Sequence, residues 1–188
     1  MTTKDYQNNI YPLLKAKLTG LIIESEWIAF RRFKKQYSPR VDIAVGPFST
    51  VSGQNQINEY NILIERDDIN TFLRRLYDFH VTNMENENLN EYNIPEFGIL
   101  LTKNQNARCF LAIEIENENS KKHIMGSLIN AGSLGRIGIG IAYSDKTFRT
   151  FIRILNYLAF LKRVEKNTYD TSNFLVITKE QMTNLLND

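Results

Sequence analysis

The sequence predicts an α/β fold, a central mixed β-sheet flanked by helices, and three observations carry that expectation. Short apolar runs at residues 41–45, 108–116, 137–143 and 174–178 have the length and composition of strands. Longer segments between them place apolar residues three and four apart, the spacing of one helical face. The two kinds succeed one another with no internal repeat and no linker-like stretch, a pattern that lays helices on one sheet. Residues 1–188 read as a single domain, a size that buries a substantial core without disulfides.

Taken in order, residues 10–33 read as helical through Ile10, Leu13, Leu14, Leu18, Leu21, Ile22, Ile28 and Phe33. Pro12 suits a first turn, and Gly20 marks a bend or a break between two helices. Ser38-Pro39 ends the run, because a residue before proline is pushed out of the helical region. Residues 41–45 read as a strand closed by Gly46-Pro47, 49–58 as a polar loop, and 60–65 as another strand. Asp67 or Asp68 caps a helix whose inner face is Ile69, Phe72, Leu73, Leu76 and Phe79. The Asn- and Glu-rich span 82–96 reads as a long loop. Residues 97–102 and 108–116 read as two strands of a hairpin turned at 103–107. Then come a helix over 120–134, the strand 137–143, and a long helix capped by Ser144 or Asp145 with Phe148, Phe151, Ile152, Leu155 and Leu158 inward. The strand 174–178 and a short helix follow.

Composition narrows the class further. The net charge is only +2, so any case for a nucleic-acid partner rests on local clusters rather than on the whole chain. Cys109 is the single cysteine, which excludes an intramolecular disulfide and a cysteine-based zinc site and fits a reducing compartment. No apolar run reaches the roughly 18 residues that cross a bilayer, and the stretch MTTKDYQNN lacks the apolar core of a signal peptide. The expectation is a cytoplasmic protein with no membrane partner.

The acids are the informative residues. Glu114 and Glu116 interrupt the hydrophobic strand that begins at Cys109. On a strand, residues two apart share a face, so the two carboxylates stand side by side and repel. A hard cation such as Mg2+ takes oxygen ligands and offsets that repulsion. Asp42 sits likewise inside the apolar run 41–45 and needs an exposed face or a partner. Glu26 has Ile22, Ala29, Phe30 and Phe33 as its helical neighbours, an unusual stripe for a carboxylate. Each acid also has an ordinary reading: an exposed strand face for Glu114 and Glu116, a strand-end turn or a salt bridge to Arg40 for Asp42, and a pairing with a nearby arginine for Glu26.

An acid-bearing helix, an Asp-bearing strand, an acid-x-acid strand, then a helix and a further strand resemble the PD-(D/E)XK nuclease superfamily. Pro39-Arg40-Val41-Asp42 is similar to its Asp element, with the proline displaced, and Glu114-Ile115-Glu116 to its (D/E)-x-K element, with Glu in the lysine position. The resemblance implies a restriction-endonuclease-like core with an insertion at about 49–96. It implies a Mg2+-dependent endonuclease acting on DNA, with Mn2+ as substitute, of a kind that often works as a homodimer. Asp42 and Glu114 would bind the metal with the carbonyl of Ile115. Glu116 would bind a second metal or orient the attacking water, and Glu26 would face the metal as an auxiliary acid. Lys122, or its neighbour Lys121, would supply the missing cation. The alternative is the same fold without chemistry, serving nucleic-acid or protein binding.

Other motifs add little. His123 as a general base competes with a structural role at a helix start. The glycine-rich run 126–140 contains no P-loop and reads as close helix-strand packing, with Ser127 or Asn130 near a nucleic-acid backbone at most. Basic residues cluster at Arg31, Arg32, Lys34 and Lys35, at Arg74 and Arg75, and at Arg149, Arg153, Lys162 and Arg163. Neither His80 nor His123 completes a serine-hydrolase motif, and no zincin signature occurs.

Overall fold

Five strands form one mixed sheet in the order β1-β2-β3-β4-β5, so each strand lies beside its predecessor in sequence. The structure, a computed structural model, describes residues 2–30, 38–50, 56–87, 89–118 and 120–188. Helix α1 (Thr3–Lys17) leads into β1 (Ile23–Ile28) and β2 (Arg40–Val45). Helices α2 (Ile57–Glu65), α3 (Asp67–Glu85) and α4 (Phe97–Thr102) separate β2 from β3 (Cys109–Glu116). Then α5 (Lys121–Leu134), β4 (Gly135–Ala142), α6 (Asp145–Arg163), β5 (Phe174–Thr178) and α7 (Lys179–Asn187) follow. The first three strands are antiparallel neighbours, and β3, β4 and β5 run parallel. The parallel pairs are joined by α5 and α6, as a parallel crossover requires.

The sheet is buried on both faces. Ile43, Val45, Leu111, Ile113 and Ile139 pack with apolar residues of α1, α2, α3, α4 and α7. Ala44, Ala112, Ala142, Phe174 and Val176 pack with α5 and α6. Small residues on the second face let α5 approach the sheet. A Cβ on Gly138 would lie 2.8 Å from the backbone of Ala131 and Gly132. The glycine-rich run is therefore packing, and it fixes where α5 sits.

Several expectations are corrected. The helix read over 10–33 is α1, a turn and β1: Leu18 caps α1, and Gly20 at φ +82° turns the chain. Strand β1 escaped notice because the helical reading rested on Ile22 and Ile28, whereas Ile22 is exposed and the strand buries Ile23 and Trp27. Glu26 lies between these two residues at a left-handed φ of 52°. Residues 60–65 and 97–102 belong to helices rather than strands, so the hairpin read between 97–102 and 108–116 is replaced by α4 leading into β3. In α2 the buried pair is Tyr60 and Leu63 while Ile62 is 63% exposed, and in α4 Leu100 and Leu101 are buried beside an exposed Ile99. Such short apolar runs satisfy either period, and the surface they land on decides. The loop read over 82–96 begins later, since α3 runs to Glu85. Of the loop read over 49–58, residues 51–55 lie outside the described residues, and Ile57 already opens α2. Arg31, Arg32, Lys34 and Lys35 also lie outside them.

Candidate functional site

The ladder between β2 and β3 holds three residue pairs and stops at Ile43 opposite Ile113. Two backbone groups near the break find other partners. The Ile115 amide donates to Asp42 Oδ2 at 2.7 Å, and the Asp42 carbonyl accepts from Gln7 Nε2 of α1 at 2.6 Å. The strands part here without orphaning these polar groups. A cleft of about 360 Å³ opens at this point, lined by Thr3, Arg40, Asp42, Glu114, Ile115, Glu116, Asn117, Glu118, His123, Ser127 and Asn130.

Two of the acids in it are buried, and Asp42 is half-buried. Glu114 is 6% exposed and Glu116 5%, so the solvated strand face that would make them ordinary is absent. In β3 they stand opposite Gly140 and Ala142 of β4, small residues on the face covered by α5 and α6. Ser127, held over the strand by the close approach of α5, donates its hydroxyl to Glu116 Oε1. His123 Nε2, one turn earlier, lies 3.4 Å from the same oxygen.

Burial is the largest influence on all three carboxylates. It pushes Glu114 well above the usual carboxylate range, and the charges of Asp42 and Glu116 push it further. Burial also raises Asp42, opposed by the Ile115 amide and reinforced by the charge of Glu26. Glu116 is raised by burial against the bond from Ser127. The cleft thus concentrates negative charge that water solvates poorly.

Glu26 is on β1, not on a helix. The pairs Ser25 opposite Ile43 and Trp27 opposite Val41 set it across from Asp42. Its left-handed φ of 52° costs a residue with a Cβ about 1–2 kcal/mol. The carboxylate turns to two cations: Lys4 Nζ lies 2.6 Å from Oε1 and Arg40 Nε 3.1 Å from Oε2. The hydrogen bond from Lys4 does most to hold Glu26 below the usual carboxylate range. Arg40, offered as an ordinary partner for Asp42, pairs with Glu26 instead, the arginine pairing that was the ordinary reading of Glu26. Lys121 and Lys122 are exposed and are not among the residues lining the cleft.

The structure thus brings Asp42, Glu114 and Glu116 into one cleft, with His123, Ser127 and Asn130. It sets Glu26 beside them and leaves Lys122 outside. Sequence reasoning missed the parts played by Gln7, Lys4 and Arg40, which depend on the sheet register and on where α1 lies. Among the described residues no group of three or more His, Cys, Asp or Glu side chains is disposed as a ready-made metal cage. Asp42 and Glu116 each have an oxygen engaged with a protein donor. Among them also, no helix is long and apolar enough to cross a membrane. Compared with protein-family models, curated proteins and solved structures, the chain gives no match.

Proposed function

We propose that this chain is a Mg2+-dependent endonuclease that hydrolyses phosphodiester bonds of DNA, with Asp42, Glu114 and Glu116 at its centre. The observation that carries the reading is the burial of Glu114 and Glu116 beside a half-buried Asp42 in one cleft, where the β2-β3 ladder ends and their charges oppose one another. An arrangement so unfavourable by itself has a use when a cation completes it. The order of elements supports it too. From β2 onward an Asp-bearing strand, an acid-x-acid strand, a crossover helix and a parallel strand come in the order that the resemblance to PD-(D/E)XK nucleases implies, with α2, α3 and α4 between the first two and with the acid expected on the leading helix lying on β1 instead.

The donor set fits a hard dication: it is all oxygen, and it carries charge that a cation relieves. Mg2+ usually keeps several waters and takes one or two carboxylates, so no protein cage is needed. Asp42 and Glu114 would hold it, or Mn2+ in its place. Bound there, the ion supplies Lewis acidity toward a phosphoryl oxygen and a more acidic water. Asp42 is oriented for this by the Ile115 amide and by Gln7, and Glu116 by Ser127. Glu116, its other oxygen unclaimed by Ser127, positions the attacking water.

The test is cleavage of supercoiled plasmid with Mg2+ or Mn2+. Cutting that disappears with chelator and in Asp42→Ala and Glu114→Ala is the expected outcome; cutting by either variant at the wild-type rate overturns the assignment. A second reading, a binding module that keeps the architecture without chemistry, is favoured by the engagement of Glu116 Oε1 with both Ser127 and His123. It predicts DNA binding with no cleavage under any divalent ion.

A further inference from the structure

We propose that Arg40 and Glu26 form a phosphate-binding pair at the edge of this cleft, with the Glu26 carboxylate orienting the Arg40 guanidinium toward a DNA phosphodiester. The inference rests on the reading of the cleft as a phosphodiesterase site. It assigns Glu26 a different part from that of an auxiliary metal acid.

The problem is electrostatic. A phosphodiester carries a negative charge and must come close to three carboxylates, which repel it. A dication offsets part of that repulsion, and a fixed protein cation beside it would offset more. Among the described residues that line the cleft, Arg40 is the only Lys or Arg. Its side chain is 64% exposed, so a polymer can reach it. A guanidinium offers five N–H donors in a rigid fork that matches phosphate geometry. Glu26 lies against Nε at 3.1 Å, which orients the fork through one edge.

Glu26 is built for this task rather than for a metal. Both of its oxygens face cations, Lys4 on one and Arg40 on the other. Lys4 is in turn tied to Gln7, whose amide holds the Asp42 carbonyl. One chain of contacts therefore links the guanidinium to the backbone of the Asp42 strand. The left-handed backbone at Glu26 takes its side chain out of the regular alternation of β1, a local strain that the pairing helps to sustain.

The experiment compares the wild-type chain with Arg40→Gln, Arg40→Lys, Glu26→Gln and Lys122→Gln. Binding of a short DNA duplex is measured against salt with Ca2+ in place of Mg2+, Mn2+ affinity is measured by calorimetry, and cleavage is measured with Mn2+. Arg40→Gln is expected to lower the slope of log affinity against log salt by about one. It is expected to slow cleavage about a hundredfold. Its Mn2+ affinity stays at or above that of the wild type, because a positive charge beside the carboxylates has gone. Arg40→Lys keeps the salt slope but recovers only part of the cleavage rate. Glu26→Gln keeps Mn2+ binding and lowers the cleavage rate, whereas an auxiliary metal acid would lose Mn2+ binding. A wild-type salt slope and cleavage rate in Arg40→Gln, or an equal loss in Lys122→Gln, overturns the pair while leaving the metal site standing. A wild type that binds neither Mn2+ nor DNA overturns the reading of the cleft and the pair with it.

Discussion

Asp42 Oδ2 accepts the backbone N–H of Ile115 at 2.7 Å, just beyond the point where the ladder between their strands stops. The carboxylate thus has two tasks, ending a sheet ladder and contributing charge to the cleft. Isosteric and truncating substitutions separate them. Asp42→Asn keeps an acceptor for Ile115, so its stability stays near wild type while divalent-ion affinity falls. Asp42→Ala strands the buried amide and loses about 1–3 kcal/mol as well. Urea unfolding and Mn2+ calorimetry on both variants check this.

Glu114 opposes folding in the absence of a cation. Its carboxyl is 6% exposed and raised by burial and by the charges of Asp42 and Glu116. Glu114→Gln removes that cost, so the metal-free variant melts higher than metal-free wild type, by about 2–4 °C for each kcal/mol relieved. Added Mg2+ reverses the order by raising the Tm of the wild type and leaving that of the variant unchanged. Scanning calorimetry with and without Mg2+ reads both effects.

Acid sensitivity comes from elsewhere. His80 is fully buried, accepts the Val176 N–H through Nδ1 at 3.0 Å, and lies 3.1 Å from the Tyr92 hydroxyl through Nε2. Burial lowers its pKa from 6.5 to about 4, so the folded state keeps it neutral where the unfolded chain takes up a proton. Stability from this residue is complete above pH 6.5 and is lost as the pH falls toward 4, about 3 kcal/mol in all. Glu114, raised in the folded state, works in the opposite sense and gains stability as it protonates. The difference between wild type and His80→Gln isolates the histidine, and it should narrow steadily between pH 6.5 and 4 in urea titrations.

The position of α5 is a further point of leverage. A Cβ at Gly138 would meet the Ala131-Gly132 backbone at 2.8 Å and the Phe174 ring at 2.7 Å. Gly138→Ala should cost about 1–3 kcal/mol through overpacking. It should also weaken Mn2+ binding, because α5 carries Ser127 and His123 to Glu116. Unfolding and calorimetry on the one variant measure both.

Asp42, Glu114 and Glu116 were legible in the sequence because each puts a charge into a hydrophobic strand, a local conflict that calls for an explanation. The strand-helix order from β3 onward was legible for a similar reason, since the long stripe of α6 and the apolar run of β4 each fit one period. Strand β1 was not, because Leu21, Ile22 and Ile28 continue the apolar spacing of α1 although Ile22 is exposed and the strand buries Ile23 and Trp27. Helices α2 and α4 were not, because six apolar-rich residues satisfy a strand template as well as a helix. The contacts of Lys4 with Glu26 and of Gln7 with the Asp42 carbonyl join residues far apart in sequence and needed the fold itself. The lysine expected from the resemblance drew attention to Lys122, while the cation at the cleft, Arg40, sits two residues before Asp42.

The most direct measurement is a crystal of the wild-type chain soaked in millimolar Mn2+ and recorded at the manganese absorption edge. The expected result is an anomalous peak within about 2.0–2.6 Å of carboxylate oxygens of Asp42 and Glu114. A cleft without such a peak, its acids still held by Ile115 and Ser127 alone, would contradict the account.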